Sequence, residues 1–145
     1  MTRREALETV VRGIVADLAD YRQMKLLLEA QFEAALAHRS DAITEVGEHI
    51  VALAASMEAR RIERVRLAGR LAGRVADVGE PASMAGVFAL LGEAARARAQ
   101  AAWRALEVLV VECKTLNARN CRLLMDQHEI MQRVLHKESD IYAPA

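Results

Sequence analysis

The sequence predicts an all-α fold, an elongated antiparallel bundle of three long helices with a short connecting helix, and three observations predict it. Of the 145 residues 53% are apolar but only 3% aromatic, the apolar share coming mainly from Ala, Leu and Val, which is the composition of long helices. Pro81 is the only proline before Pro144, so helices can run almost uninterrupted on both sides of it. Apolar residues recur at alternating steps of four and three in three separate stretches.

The first helix is expected over residues 3–38. Thr2 and Glu5 have capping-box spacing at its start, and Leu7, Val11, Ile14, Leu18, Tyr21, Leu28, Phe32 and Ala35 form a narrow seam that only Lys25 breaks. The second is expected over 41–78, with an N-cap offered by Ser40-Asp41. Its seam is Val46, Ile50, Leu53 and Met57, then a disturbed stretch from Arg60 to Arg66, then Leu67, Leu71, Val75 and Val78. Gly79-Glu80-Pro81 reads as a helix stop. Ser83 to Leu91 reads as the short connecting helix, closed by Gly92. The last helix, about 93–138, carries Trp103, Leu106, Val110, Cys113, Asn117, Asn120, Leu124, Gln127, Met131 and Val134 at the same spacing. Such helices are roughly 55–70 Å long, and each seam is too narrow for a helix buried alone, so they must pack on one another. One domain is expected over residues 1–138, followed by a mobile tail over 139–145 where the period is lost.

Twenty basic side chains balance twenty acidic ones, which argues against a nucleic-acid binder and against a polybasic membrane binder. Glu5, Glu8 and Arg12 interrupt any signal-peptide core, and the longest uncharged stretch, Pro81 to Gly92, is far shorter than the roughly 20 residues that span a bilayer. The expectation is a cytoplasmic protein without direct membrane insertion. Cys113 and Cys121 read there as free thiols.

Enzyme chemistry finds little purchase. None of His38, His49, His128 and His136 has a Glu three residues before it, so the paired Glu-x-x-His metal motif of helical bundles is missing. The two cysteines, eight apart, lack further soft ligands, and no phosphate loop or nucleophilic triad stands out. No catalytic residue, cofactor or metal is expected.

Three features remain. Arg60, Arg61, Arg64, Arg66, Arg70 and Arg74 stand against only Glu58 and Glu63, giving residues 58–74 a net charge of +4. This run is either a docking patch for an acidic partner or is paired with acids of a neighbouring helix, Glu29 and Glu33 being candidates. Along the last helix a second apolar line, Leu109, Leu116, Leu123, Ile130 and Leu135, makes the face from Leu116 onward wider than two bundle neighbours require, with Met125 and Met131 adding adaptable surface. Such a surplus serves a helix-in-groove binder, extra core, or a homodimer seam. Asn117 and Asn120 sit on the seam where Leu would stabilise more; an amide there fixes register, bonds a partner's backbone, or tips out to water.

These residues resemble the flagellar export chaperones of the FlgN type. The resemblance runs over roughly residues 18–144: Leu27-Leu28-Glu29, Ala35-Leu36, a helix start like Asp41, an Arg near Arg60 or Arg61, the pair Asn117-Ala118-Arg119-Asn120, then Leu123-Leu124, and a tail like Tyr142-Ala143-Pro144. Cys121 stands where the family usually has Gly, His49 where Lys is common, and the tail stops at Ala145 without a closing Gly. The resemblance implies a cytoplasmic chaperone that binds the C-terminal helical segments of the hook-associated junction proteins and delivers them to the flagellar type III export gate. By carry-over Leu116, Asn117, Asn120, Leu123, Leu124, Gln127, Met131 and Val134 would contact the client, and Tyr142 would lie in the segment that meets the gate. The alternative is a self-associating structural bundle that closes its surplus face on a second copy.

Overall fold

A computed structural model describes residues 1–73 and 84–142, and the side chains as far as Lys137. Those residues form four helices: α1 (Arg3–Leu36), α2 (Ser40–Ala72), the short α3 (Met84–Phe88) and α4 (Glu93–Tyr142). The expected Val75, Val78 and Arg74, the stop at Gly79–Pro81, Ser83 and residues 143–145 lie outside the described residues.

α1 starts as the spacing predicts. The Thr2 hydroxyl accepts from the Glu5 N–H at 3.1 Å, and the Thr2 N–H donates to the Glu5 carboxylate at 2.9 Å, so each satisfies an orphan group of the other. Its end is sharper than expected. The His38 N–H donates to Ala35 O and the Arg39 N–H to Ala34 O, which closes the helix two residues early in a Schellman turn. His38 occupies the left-handed position, at φ 56°, where glycine is usual. Because that turn consumes Arg39, Ser40 is already helical, and the side-chain cap expected from Ser40-Asp41 is replaced by Arg39, which makes no side-chain bond. α2 stops at Ala72 rather than 78, since Gly73, at φ 77° and ψ −173°, takes a conformation open only to glycine.

α1 is the spine. Its backbone lies close to both α2 and α4, which approach each other much less. Tyr21 O accepts from Cys113 Sγ, Leu28 O from Asn120 and Ala35 O from Gln127, a constant offset of 92 residues, so α1 and α4 run in the same direction. Arg60 of α2 meets Asp17 and Asp20, while Arg70 reaches back to Met1 O, so α2 runs the opposite way.

This placement widens the buried face of α1. Ala6, Val10, Asp17 and Met24 are buried, while Leu7, Val11 and Leu18 of the expected seam are only half-buried. Lys25, which breaks that seam, is tied to Glu112 of α4 at 2.7 Å.

Two apolar clusters hold the helices together. One joins Val10, Ile14, Leu67, Val87 and Phe88, with Trp103 edge-on to Phe88 at a centroid distance of 6.2 Å. The other joins Met24, Leu28, Met57 and Cys113. Between them lies a charged layer in which Asp17, 2% exposed, pairs with Arg64 and, at 2.6 Å, with Arg60. Arg60 also reaches Asp20 at 2.8 Å, and the Arg64 guanidinium sits 5.3 Å from the Trp103 ring centroid.

Candidate functional site

The site follows from a mismatch of lengths. The Schellman turn ends α1 at Leu36, which the constant offset places beside His128, yet α4 continues helical to Tyr142. About four turns, roughly 20 Å, therefore project past the end of α1. The backbone of α4 stays helical through residues 139–142.

Burial along α4 records this. Leu106, Cys113 and Asn120 are buried; Leu116, Leu123, Leu124 and Gln127 are half-buried; Ile130, Met131, Val134 and Leu135 are 59%, 57%, 48% and 52% exposed. The apolar repeat persists beyond the helix that would cover it. A groove of about 530 Å³ lies at the transition, with Leu124, Gln127, Ile130, Met131 and Val134 on one wall and His38, Ser40 and Ile43 on the other.

The two asparagines have different fates. The Asn120 amide, 1% exposed, donates to Leu28 O at 2.7 Å and to Gln31 Oε1 at 2.9 Å, and its Oδ1 accepts from Arg119 Nε at 3.1 Å. Its hydrogen-bonding capacity is spent on register between α4 and α1. Asn117 is exposed, one turn before the exposed Cys121, whose thiol approaches its Oδ1 at 3.9 Å. Gln127 donates to Ala35 O at 2.9 Å and so helps to cap the end of α1. Arg119 lies over the Phe32 ring at 3.7 Å and reaches Glu29 at 3.5 Å, clamping the same stretch. Tyr142 is the last residue of α4, its side chain beyond the described ones.

Of the arginine run, Arg60 and Arg64 are paired with a neighbouring helix, but with partners other than those expected. Arg60 and Arg64 are committed to Asp17 and Asp20, whereas Glu29, a predicted partner, serves Arg119. Arg61 and Arg66 pair with Glu58 and Glu63 of their own helix. The hydrogen bonds that Arg60 donates to Asp17 and then to Asp20 hold it even more firmly protonated than usual. Asp17 escaped the sequence reading because it lies beside the seam; the signal available was its spacing with Asp20, three apart, matched by Arg60 and Arg64, four apart.

Burial, and then the nearby Glu112 charge, raise the Cys113 thiol above its ordinary range. Burial, and then Asp17, do the same for the Tyr21 hydroxyl. Among the described residues no group of His, Cys, Asp or Glu could hold a metal ion, and no helix is long and apolar enough to cross a membrane.

Compared with known families, the chain matches the sequence model of the FlgN protein over residues 1–137. No curated protein and no solved structure matches.

Proposed function

From the premise that the chain belongs to the FlgN family of flagellar export chaperones, we propose that it binds the C-terminal helical segments of hook-filament junction proteins in the cytoplasm and delivers them to the flagellar type III export gate. The observation that carries this reading is the apolar stripe of α4 left uncovered where α1 ends. An amphipathic client helix lying along Leu123, Leu124, Ile130, Met131, Val134 and Leu135 would continue, in space, the packing that α1 provides farther up. Asn117 and Gln127 border that line, while Asn120 and the half-buried Leu116 support it from the α1 side. The frame behind the stripe is an elongated antiparallel bundle in this reading, supported by the contacts of Arg60 with Asp17 and of Arg70 with Met1 O, which set α2 opposite to α1. Tyr142, at the helix tip, belongs to the segment assigned to the gate. No bond is made or broken; the work is done by covering and releasing apolar surface.

Magnitudes constrain the client. Covering the exposed halves of Ile130, Met131, Val134 and Leu135 yields roughly 1 kcal/mol each, which by itself corresponds to about millimolar affinity. Micromolar binding therefore needs the groove floor at Leu124 and Ile43 as well, so the client must enter the groove rather than lie only on the tip.

Titration of the full chain with synthetic C-terminal segments of junction proteins tests the proposal. Binding near micromolar concentration is expected, weakened at least tenfold by Met131→Asp with Val134→Asp while helix content stays the same. Absence of binding at that concentration sinks it. The rival reading, a structural homodimer closed over the same stripe, predicts a doubled mass in solution that client segments do not reduce.

A further inference from the structure

The turn between α1 and α2 is weakly specified by its sequence. The chain reverses direction within Ala37, His38 and Arg39. His38 takes a left-handed backbone at φ 56°, where a residue with a Cβ is strained. Arg39, at the start of α2, gives no side-chain cap. Nothing nearby asks for a break in the helix, since Ala34 to Ile43 holds four alanines and neither Gly nor Pro. α1 is joined to the rest of the chain only through this turn, and the helices it packs on, α2 and α4 above all, come after it. A short hinge under strain beside such an element is where chains exchange it.

Straightened, the turn makes one helix of Arg3–Ala72, roughly 105 Å long, and replaces two helix ends by continuous backbone bonds. α1 then points away from its own α2 and α4, whose faces receive the α1 of a second copy. The contacts of α1 re-form between chains, Asp17 with Arg60 and Lys25 with Glu112 among them. Register adds a contact that the single chain lacks. The incoming α1 lies along α4 with the same offset of 92 residues, and its continuation runs past Leu36 beside the α4 tip. That offset brings Ala42 of the second copy beside Val134 and Ile43 beside Leu135, while Val46, five whole turns after Leu28, faces the same way as Leu28. The groove at Leu124 and Met131 loses the wall that His38 and Ser40 supply as a turn.

We propose that two copies of this chain exchange α1 by opening the turn at His38, and that the exchanged dimer is a closed form in which the α2 of the second copy covers the apolar stripe of α4. The exchange stands on the turn and the register alone; its consequence, that client and second copy compete for the stripe, rests on the client reading above. Unlike a structural homodimer, this one is driven back to monomers by client segments.

The test uses an equal mixture of unlabelled and isotope-labelled full-length chain, unfolded and refolded together at high concentration. Size exclusion separates monomer from dimer, and a carbodiimide then joins Lys25 of α1 to Glu112 of α4, which meet at 2.7 Å. Linked peptides with one light and one heavy half are expected from the dimer as often as like-labelled ones, and from the monomer not at all. His38→Gly, which suits the left-handed turn and disfavours the straight helix, should lower the dimer fraction about tenfold. An excess of junction-protein segments should lower it too. A chain that stays monomeric after refolding at millimolar concentration overturns the proposal, as does a dimer whose Lys25–Glu112 links are all like-labelled, because its copies then meet on an outer surface. Client segments that bind the mixed-link dimer without dissociating it overturn the covering of the stripe. Mixed links in a chain that binds no client uphold the exchange and remove the client reading, and client binding without mixed links does the reverse.

Discussion

Asp17 shows how much one side chain can decide. A carboxylate 2% exposed is tolerable only because Arg60 and Arg64 converge on it and Asp20 takes the remaining reach of Arg60. Asp17→Asn keeps the shape and removes the charge, leaving two guanidinium groups with one carboxylate between them. Urea denaturation should register a loss of about 3 kcal/mol, at the low end for a broken buried pair because both arginines keep some contact with water. Cys113 makes a different prediction. Its thiol is raised by burial, so the folded state disfavours the thiolate; this stability is fully present below the ordinary thiol value and is lost as pH rises through the folded one. Tyr21, raised by burial, acts in the same sense at higher pH. Stability should hold level through neutral pH and decline on the alkaline side, less steeply in Cys113→Ala. At neutral pH a thiol reagent should modify the exposed Cys121 promptly and Cys113 only on unfolding.

At the scale of elements, α4 is one helix with two mechanical roles. Up to Asn120 it is held by α1 through Cys113 and the Asn120 bonds; past Gln127 it has no α1 beside it. Substitutions should divide accordingly. Leu106→Ala, at a site 4% exposed, should cost about 2–4 kcal/mol by leaving a cavity, whereas Met131→Asp, at one 57% exposed, should stay within about 0.5 kcal/mol. Thermal melts of the two variants check this, and a large loss in Met131→Asp would mean that the stripe is already covered. The helix spans were legible from spacing and punctuation alone, since 3.6-residue periodicity is a local property. The ends were less so. α1 stops two residues early because His38 accepts a left-handed backbone that sequence rules reserve for Gly or Asn, and α2 ends at Gly73 rather than at the more conspicuous Gly79-Glu80-Pro81.

Across the whole molecule, stability and the candidate site are separated in space. Both apolar clusters and the charged layer between them lie before residue 117 of α4, while the exposed stripe lies after residue 127. Removing residues 129–145 should therefore leave a helical, cooperatively unfolding protein with a melting temperature within a few degrees of the parent, yet one that no longer holds a client helix. Circular dichroism and the peptide titration read the two outcomes separately, and collapse of the fold would show that the tip belongs to the core. The sequence by itself determined the all-α class, the four helical segments, the Thr2–Glu5 cap and an apolar face on the last helix wider than its neighbours need. Each of these rests on residues near one another in the chain. Only the tertiary structure decided that α1 is the shared spine, that Asp17 rather than Glu29 or Glu33 receives the arginines, and that Asn120 faces inward while Asn117 does not. It also decided where the surplus face becomes surface. That boundary is set by where α1 ends relative to α4 across a 92-residue offset, and a periodic stripe carries the same pattern whether or not another helix lies beside it.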